Sequence, residues 1–141
     1  MIYKDIDKID FSKKKLFLFD IDRTLTLSKQ PIDIEMCFLL SKLLEKREVA
    51  LISGGKHQIF NEIYLKNVKF PLQLLSKFYL FPTCGACFYR HINGKQELVY
   101  FNEIPEDQRK KIISCFYKMF EEVVFQIPQN IYGELIEDRK S

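Results

Sequence analysis

Short continuous runs of hydrophobic residues occur at residues 16–19, 49–52 and 79–81, among other places in the chain. Runs of this length are typical of parallel strands that are covered on both faces, which predicts strands over residues 15–20, 49–53 and 79–81. Between the first two runs, apolar residues recur at three- and four-residue spacings, which predicts a helix that Asp33 can cap. The apolar stripe of this helix consists of Met36, Leu39, Leu40, Leu43 and Leu44.

The order of the predicted elements indicates an α/β fold. Gly54-Gly55 turns the second strand into another helix, near residues 56–65. Strand, helix, strand and helix in succession predict a doubly wound parallel sheet. Asn93-Gly94 is a strong hairpin signal between strands at residues 86–91 and 97–101. A helix follows Pro105, and a last strand is predicted at residues 134–137. A sheet this small keeps open faces and edges, so the sheet is expected to be incomplete.

The composition indicates a folded, soluble chain. Of its 141 residues, 47% are hydrophobic and 29% are charged, which is typical of globular proteins. The formal charge of +3 is too small to argue for nucleic acid as a partner. No apolar run approaches the length of a membrane span or of a signal peptide. Four cysteines without an export signal suggest reduced thiols, so we expect a cytoplasmic protein.

Two carboxylates follow the first predicted strand. Asp20 ends that strand and Asp22 lies two residues further along, at the edge where open α/β sheets place their ligands. Carboxylates so close repel each other unless a cation intervenes, and Mg²⁺ takes oxygen ligands together with phosphate. One carboxylate can then attack phosphorus while the other moves a proton. The alternative is ordinary loop chemistry, in which both aspartates form Asx turns or a helix cap.

Two further patterns leave alternatives open. Ser53-Gly54-Gly55 follows the second strand, and a hydroxyl beside main-chain N–H groups at a helix N-terminus makes an anion site. The alternative for this segment is a simple strand-to-helix turn. Cys84 and Cys87 have a spacing used in redox and metal sites, but they precede a predicted hairpin rather than a helix, and no second pair completes a zinc site.

Residues 18–26 resemble the first motif of the haloacid-dehalogenase (HAD) superfamily, and the wider chain resembles the eukaryotic phosphomannomutases. The resemblance runs from Leu16 to Leu65 and resumes at residues 79–82. Residues 81–85 read Phe-Pro-Thr-Cys-Gly, similar to the family's Phe-Pro-Glu-Asn-Gly. Asn93-Gly94-Lys95 is similar to an Asp-Gly-Lys turn, and residues 133–139 are similar to a strand of the family's cap domain. Arg23 stands where the family has glycine.

The resemblance implies roles for individual residues. Asp20 would be the nucleophile, forming a phospho-aspartate, and would bind Mg²⁺. Asp22 would be the general acid/base, and its main-chain carbonyl would also bind the metal. Thr24 belongs to the same motif and would support the loop around these aspartates.

The phosphate-binding residues are also implied by the resemblance. Ser53, Gly54 and Gly55 resemble the second motif of the superfamily, which binds phosphate. Lys29 and Arg139 occupy the positions of family arginines that bind the substrate.

The resemblance also implies a domain organisation. Residues 1–84 would be the first part of a HAD-like, Rossmann-like core, and residues 85–141 a linker hairpin and the beginning of an α+β cap domain. In the family a lysine and further acidic residues follow the cap, beyond Ser141, so these 141 residues alone are expected to be a poor enzyme. Family members form homodimers through the cap.

Three functional hypotheses follow. The first is a phosphomannomutase-like enzyme that interconverts mannose 6-phosphate and mannose 1-phosphate for GDP-mannose synthesis. The second is a HAD sugar phosphatase, in which water resolves the phospho-aspartate. The third is a non-catalytic remnant that serves as a binding module, which Arg23, Lys29 and Cys84 favour because the family has other residues at these positions.

Overall fold

The structure, a computed structural model, describes residues 8–123. Five strands form one sheet: β1 (Leu16–Asp20), β2 (Glu48–Ile52), β3 (Phe78–Phe81), β4 (Cys87–Ile92) and β5 (Lys95–Phe101). The helices are α1 (Ile34–Lys46), α2 (His57–Ile59), α3 (Leu72–Leu75) and α4 (Glu106–Glu122). A π-helix, Phe60–Tyr64, directly continues α2, and short 3₁₀ turns occupy Phe11–Lys13 and Thr83–Gly85.

The strands lie in the sheet in chain order, β1-β2-β3-β4-β5. The first three strands are parallel, and β4 and β5 add an antiparallel hairpin to β3. Asn93 and Gly94 turn the hairpin with φ values of 51° and 78°, the left-handed conformations that this dipeptide adopts readily. The predicted parallel α/β sheet and its hairpin are therefore confirmed.

Helix α1 begins where the sequence predicted, but its buried face is rotated about the helix axis relative to the predicted apolar stripe. The Asp33 side chain accepts a hydrogen bond from the Met36 N–H at 2.7 Å, which caps the helix. Cys37, Leu40 and Leu44 are buried, whereas Leu39 is 52% exposed. Each helical residue advances by about 100°, so Leu39 lies about 100° from Leu40. The prediction that Leu39 belongs to the buried stripe is wrong.

The second predicted helix is interrupted by a change in hydrogen-bond spacing. The Leu65 N–H donates to the Phe60 carbonyl at 2.8 Å, five residues back, as in a π-turn. This turn lies between α2 and the following loop. It buries Phe60 completely and leaves Tyr64 only 2% exposed. The helix predicted near residues 56–65 is therefore present, but at the π-turn its hydrogen bond spans five residues instead of four.

A polar network joins the hairpin to this helical segment. The His57 and Tyr89 rings stack with centroids 3.7 Å apart and an interplanar angle of 6°. The Gln96 amide contacts both the His57 ring, at 2.6 Å, and the Asn61 side chain, at 2.8 Å. These contacts join strands β4 and β5 to the helical segment that follows β2.

The described residues fall into two compact units, one ending at Phe101 and one beginning at Asn102. The first unit therefore includes the hairpin, which the sequence analysis placed after a division at residue 84. Where the functional domains divide stays a prediction. The second unit contributes α4, as predicted after Pro105. The predicted strand at residues 134–137 lies outside the described residues.

Strand β1 is one of the two edge strands of the described sheet. Within residues 8–123 it pairs only with β2. Leu16 and Leu18 are 48% and 56% exposed, although both belong to the continuous apolar run that predicted a covered strand. Among these same residues, no helix has the length and apolar character needed to cross a membrane.

Candidate active site

Three loops meet at the carboxyl edge of the parallel strands. Asp20 pairs with Ile52, and Ile52 pairs with Phe81, so the residues that follow each strand emerge side by side. The Cys84 N–H donates to the Ser53 carbonyl at 2.9 Å, and the Thr83 N–H to the Gly55 carbonyl at 2.9 Å. The loop after β3 therefore holds the loop after β2 in place.

The loop after β1 is organised around one buried residue, Ile21. Its main-chain carbonyl accepts hydrogen bonds from the N–H groups of Thr24, Leu25 and Thr26 at 3.0–3.3 Å, and its side chain is 0% exposed. The Thr24 hydroxyl then donates to the Asp20 carboxylate at 3.2 Å. The Ile21 side chain and its carbonyl thus hold the loop that follows β1, and the Thr24 hydroxyl contacts the Asp20 carboxylate. The role of Thr24 in the motif stays a prediction.

Asp22 is held by donors from separate parts of the chain. Its Oδ1 accepts from the Lys29 main-chain N–H at 2.9 Å, and its Oδ2 accepts from the Tyr64 hydroxyl at 2.8 Å. Partial burial raises the pKa of Asp22, but the hydrogen bonds from Lys29, Tyr64, Ser28 and Ser53 together lower that pKa below its ordinary value of 3.8. Asp22 is therefore a carboxylate at neutral pH in this conformation.

Ser53 connects Asp22 to the second loop. Its side chain is buried, with 4% exposed, and its hydroxyl lies 3.5 Å from Asp22 Oδ2, a long and weak hydrogen bond. The same hydroxyl accepts from the Gly55 N–H at 3.2 Å. A Cβ on Gly55 would lie 3.2 Å from the Ile59 side chain, so close packing is one reason for glycine here.

Arg23, Lys29 and Cys84, which differ from the resembled family, are among the residues that adopt left-handed backbone conformations. Arg23, Lys29 and Cys84 have φ values of 61°, 56° and 53°. The family has glycine at the position of Arg23 and asparagine at that of Cys84, and both residue types tolerate this conformation better than arginine or cysteine. Arginine and cysteine at positions 23 and 84 therefore hold backbone conformations that are more strained than they would be for glycine or asparagine.

The remaining candidates are only partly brought to the site. Lys29 contacts Asp22 through its main chain, and no described contact brings its ammonium group to either aspartate. Arg139 lies outside the described residues. Cys84 and Cys87 are free thiols, with Cys84 exposed in the turn before β4 and Cys87 buried within β4.

Asp20 and Asp22 offer an incomplete ligand set for Mg²⁺. Asp20 is exposed, and within the described part of the chain its carboxylate accepts only from Thr24. Both carboxylate oxygens of Asp22 already accept hydrogen bonds, whereas no described hydrogen bond ends on its main-chain carbonyl. An Asp20 carboxylate and an Asp22 carbonyl suit a hard cation that keeps several waters. Across residues 8–123 there is no group of three or more histidine, cysteine or acidic side chains that could hold a metal.

Sequence reasoning missed Tyr64. The residue fits the apolar pattern of its helix and looks like ordinary core, and no local motif signals its hydroxyl contact with Asp22. Burial, followed by the hydrogen bond to Asp22, raises the pKa of the Tyr64 phenol, so the hydroxyl keeps its proton and remains a donor.

Comparison with solved structures identifies the fold. An N-terminally truncated, IMP-bound IMP-nucleotidase from Plasmodium falciparum matches 78% of this chain and 34% of its own, with a TM-score of 0.61 and 17% identity. A C-terminally truncated form of that enzyme matches 89% of this chain and 43% of its own, with a TM-score of 0.61 and 17% identity. A haloacid dehalogenase-like hydrolase from B. subtilis matches 75% of this chain and 34% of its own, with a TM-score of 0.56 and 21% identity.

These matches show a HAD-like fold. The chain spans about a third to two fifths of the length of the matched proteins. No family model matches the chain, and no curated protein sequence matches it significantly.

Proposed function

We propose that this chain is part of a magnesium-dependent phosphoryl-transfer enzyme that acts on small phosphate esters, with Asp20 as the nucleophile. The observation that carries the proposal is the arrangement at the carboxyl edge of the sheet. Asp20 ends β1, and Asp22 on the same loop is hydrogen-bonded to the segment that Ser53 begins after β2. The HAD-like fold supports the proposal, because the matched proteins are described as a nucleotidase and a hydrolase.

The proposed reaction has two displacements at phosphorus. The Asp20 carboxylate forms a bond to phosphorus while the ester P–O bond breaks, and Asp22, after taking up a proton from solvent when the substrate binds, gives that proton to the departing alcohol oxygen. Asp22 then takes a proton from the incoming water or sugar hydroxyl, which attacks phosphorus and releases Asp20. A bound Mg²⁺ would neutralise charge on the phosphoryl oxygens.

The second loop would bind the phosphate. Ser53 offers a hydroxyl there, and Gly54 and Gly55 offer main-chain N–H groups. Because the Gly55 N–H already donates to Ser53, phosphate would have to replace that internal hydrogen bond. We propose that Lys29 and Arg139 add positive charge around the ester.

Two finer functions have separate support. The sequence similarity over residues 81–85 and the Asn93-Gly94 hairpin favour a phosphomannomutase-like enzyme, which would form mannose 6-phosphate from mannose 1-phosphate for GDP-mannose synthesis. The hydrolytic functions of the matched proteins favour a phosphatase. Incubation with mannose 1-phosphate separates them, because the mutase yields mannose 6-phosphate and the phosphatase yields mannose and free phosphate. Assembly as a homodimer and location in the cytoplasm stay predictions.

The decisive experiment is Asp20→Asn in the 141-residue chain with Mg²⁺ and an activated phosphate ester. We expect the wild type to form an acid-stable, hydroxylamine-sensitive phospho-aspartate, and the Asp20→Asn variant to form none. Asp33→Asn is the matched control, since asparagine caps a helix as well as aspartate does and Asp33 contacts only the start of α1. Equal labelling of the wild type and the Asp20→Asn variant would refute Asp20 as the nucleophile, and absence of labelling in both would favour the third hypothesis, a non-catalytic binding module.

A further inference from the structure

Tyr64 makes the most buried contact with the proposed acid/base. Its hydroxyl donates to Asp22 Oδ2 at 2.8 Å across 42 residues of sequence. The residue is 2% exposed, so water does not compete freely for its hydroxyl. A short hydrogen bond from a buried donor restricts the carboxylate that accepts it.

The Tyr64 ring is itself held in place by its neighbours. Phe60 meets it edge to face, with centroids 5.7 Å apart and an interplanar angle of 89°. The ring also packs over Gly55, where an added Cβ would lie 3.6 Å from Tyr64 Cε2. The Tyr64 carbonyl accepts from the Ile32 N–H at 3.0 Å, which ties its backbone to the segment before α1.

The π-turn explains how Tyr64 reaches the site. Its hydrogen bond from Leu65 to Phe60 adds one residue to the turn, and such turns occur often at functional sites. Phe60 and Tyr64 are both buried, and Tyr64 extends beyond the apolar core to Asp22. An α-helical turn over these residues would place Tyr64 at a different angle to the sheet.

We propose that Tyr64 is a positioning residue, which fixes the side chain of Asp22 for proton transfer between the two phosphoryl-transfer steps. This inference rests on the proposed function. Tyr64 and the Lys29 N–H hold one oxygen each, so the carboxylate has a defined orientation before any substrate binds. The hydroxyl is hydrogen-bonded to Asp22, so it would act through the acid/base.

The test compares Tyr64→Phe with Tyr79→Phe. Tyr79 is the control, because this residue is partly buried and its hydroxyl also donates to a carboxylate, that of Glu48, at 3.2 Å in an exposed contact. Phenylalanine at position 64 keeps the ring contacts with Phe60 and Gly55, so the native amide spectrum should persist. A variant that lost this spectrum would show a role in folding and would overturn the proposal.

The first readout needs no catalysis. Three-bond couplings to the Asp22 carboxyl carbon report its side-chain rotamer by NMR. We expect one dominant Asp22 rotamer in the wild type and in Tyr79→Phe, and a mixture in Tyr64→Phe. An unchanged Asp22 rotamer in Tyr64→Phe would refute the inference.

The second readout uses p-nitrophenyl phosphate, whose leaving group needs no protonation. In Tyr64→Phe the first release of p-nitrophenol should persist, while hydrolysis of the phospho-aspartate, which needs Asp22 as a base, should slow about tenfold or more. Equal slowing of both steps would overturn the positioning role. Asp20→Asn tests the proposed function separately, because loss of that function would abolish both steps without altering the Asp22 rotamer.

Discussion

Asp20 and Asp22 should differ sharply in their effect on stability, although only one residue separates them. Asp20 is exposed and accepts one hydrogen bond, from the Thr24 hydroxyl at 3.2 Å. Asp22 accepts from the buried Tyr64 hydroxyl and from the Lys29 N–H. Substituting each aspartate with alanine therefore tests the geometry of the loop without any catalytic assay.

The magnitude for Asp22→Ala follows from the partners that it would lose. A buried donor left without a partner costs about 1–3 kcal/mol, and Tyr64 would become such a donor. The Lys29 N–H lies in an exposed loop, where water can replace the carboxylate, so its loss adds little. We expect Asp22→Ala to lower the free energy of unfolding by about 2–3 kcal/mol, and Asp20→Ala to change it by no more than about 0.5 kcal/mol, as is usual for an exposed side chain.

Urea denaturation followed by circular dichroism measures both effects, with EDTA present to exclude metal binding. The double variant Asp22→Ala/Tyr64→Phe should recover part of the loss, because removal of both partners leaves no orphaned hydroxyl. Equal destabilisation by Asp20→Ala and Asp22→Ala, or a further loss in the double variant, would refute the geometry of this loop.

The same comparison has a defined pH dependence. Hydrogen bonds lower the pKa of Asp22 in the folded chain below its ordinary value of 3.8, despite partial burial, which acts in the opposite direction. A depressed pKa contributes stability above the unfolded pKa, and this contribution is lost as pH falls through the folded pKa. The difference in unfolding free energy between wild type and Asp22→Ala should thus shrink below about pH 4.

Two further substitutions test the packing around the site. Phe60→Ala should lower the free energy of unfolding by about 3–5 kcal/mol because the ring is fully buried. Phe38→Ala, at a side chain that is 59% exposed, should lower it far less. Urea denaturation of both variants checks this, and similar losses of stability would contradict the assigned core. Gly94→Ala should lower the free energy of unfolding by about 1–2 kcal/mol, because φ is +78° there and the added Cβ would lie 2.5 Å from the Leu72 side chain. Lys95→Ala in the same hairpin is the control. Equal melting temperatures of the two variants would contradict the conformation of the turn.

Local patterns predicted the elements that depend on local chemistry. The apolar runs marked β1, β2 and β3, Asp33 marked the start of α1, and Asn93-Gly94 marked the hairpin turn. The position of the aspartates followed from the rule that parallel strands share a carboxyl edge. These predictions succeeded because each needs only a few consecutive residues to specify it.

The features that sequence reasoning missed depend on contacts distant in sequence. Nothing in the spacing of Phe60 and Tyr64 distinguishes a π-turn from an α-turn, because the choice depends on what the ring meets across the core. The hydrogen bond from the Lys29 main-chain N–H to Asp22 could not be predicted either. In a sequence, a lysine suggests a role for its charged side chain and not for its main chain. Leu39 was included in the apolar stripe of α1 because it lies three residues from Met36 and four from Leu43. Which side of that stripe is buried depends on how the helix packs on the sheet, and there Leu40 is buried and Leu39 is exposed.

The exposure of Asp20 limits the chemistry proposed for this residue. Charge–charge interactions are weak next to water and much stronger in a closed, less polarisable site. Asp20 ends the open edge strand beside exposed Leu18, and no ion pair within the described chain includes either aspartate. The charge of the two carboxylates is therefore not offset by an ion pair within residues 8–123, so the proposed phosphoryl transfer by these 141 residues should depend steeply on Mg²⁺ and be slow even when the metal is saturating.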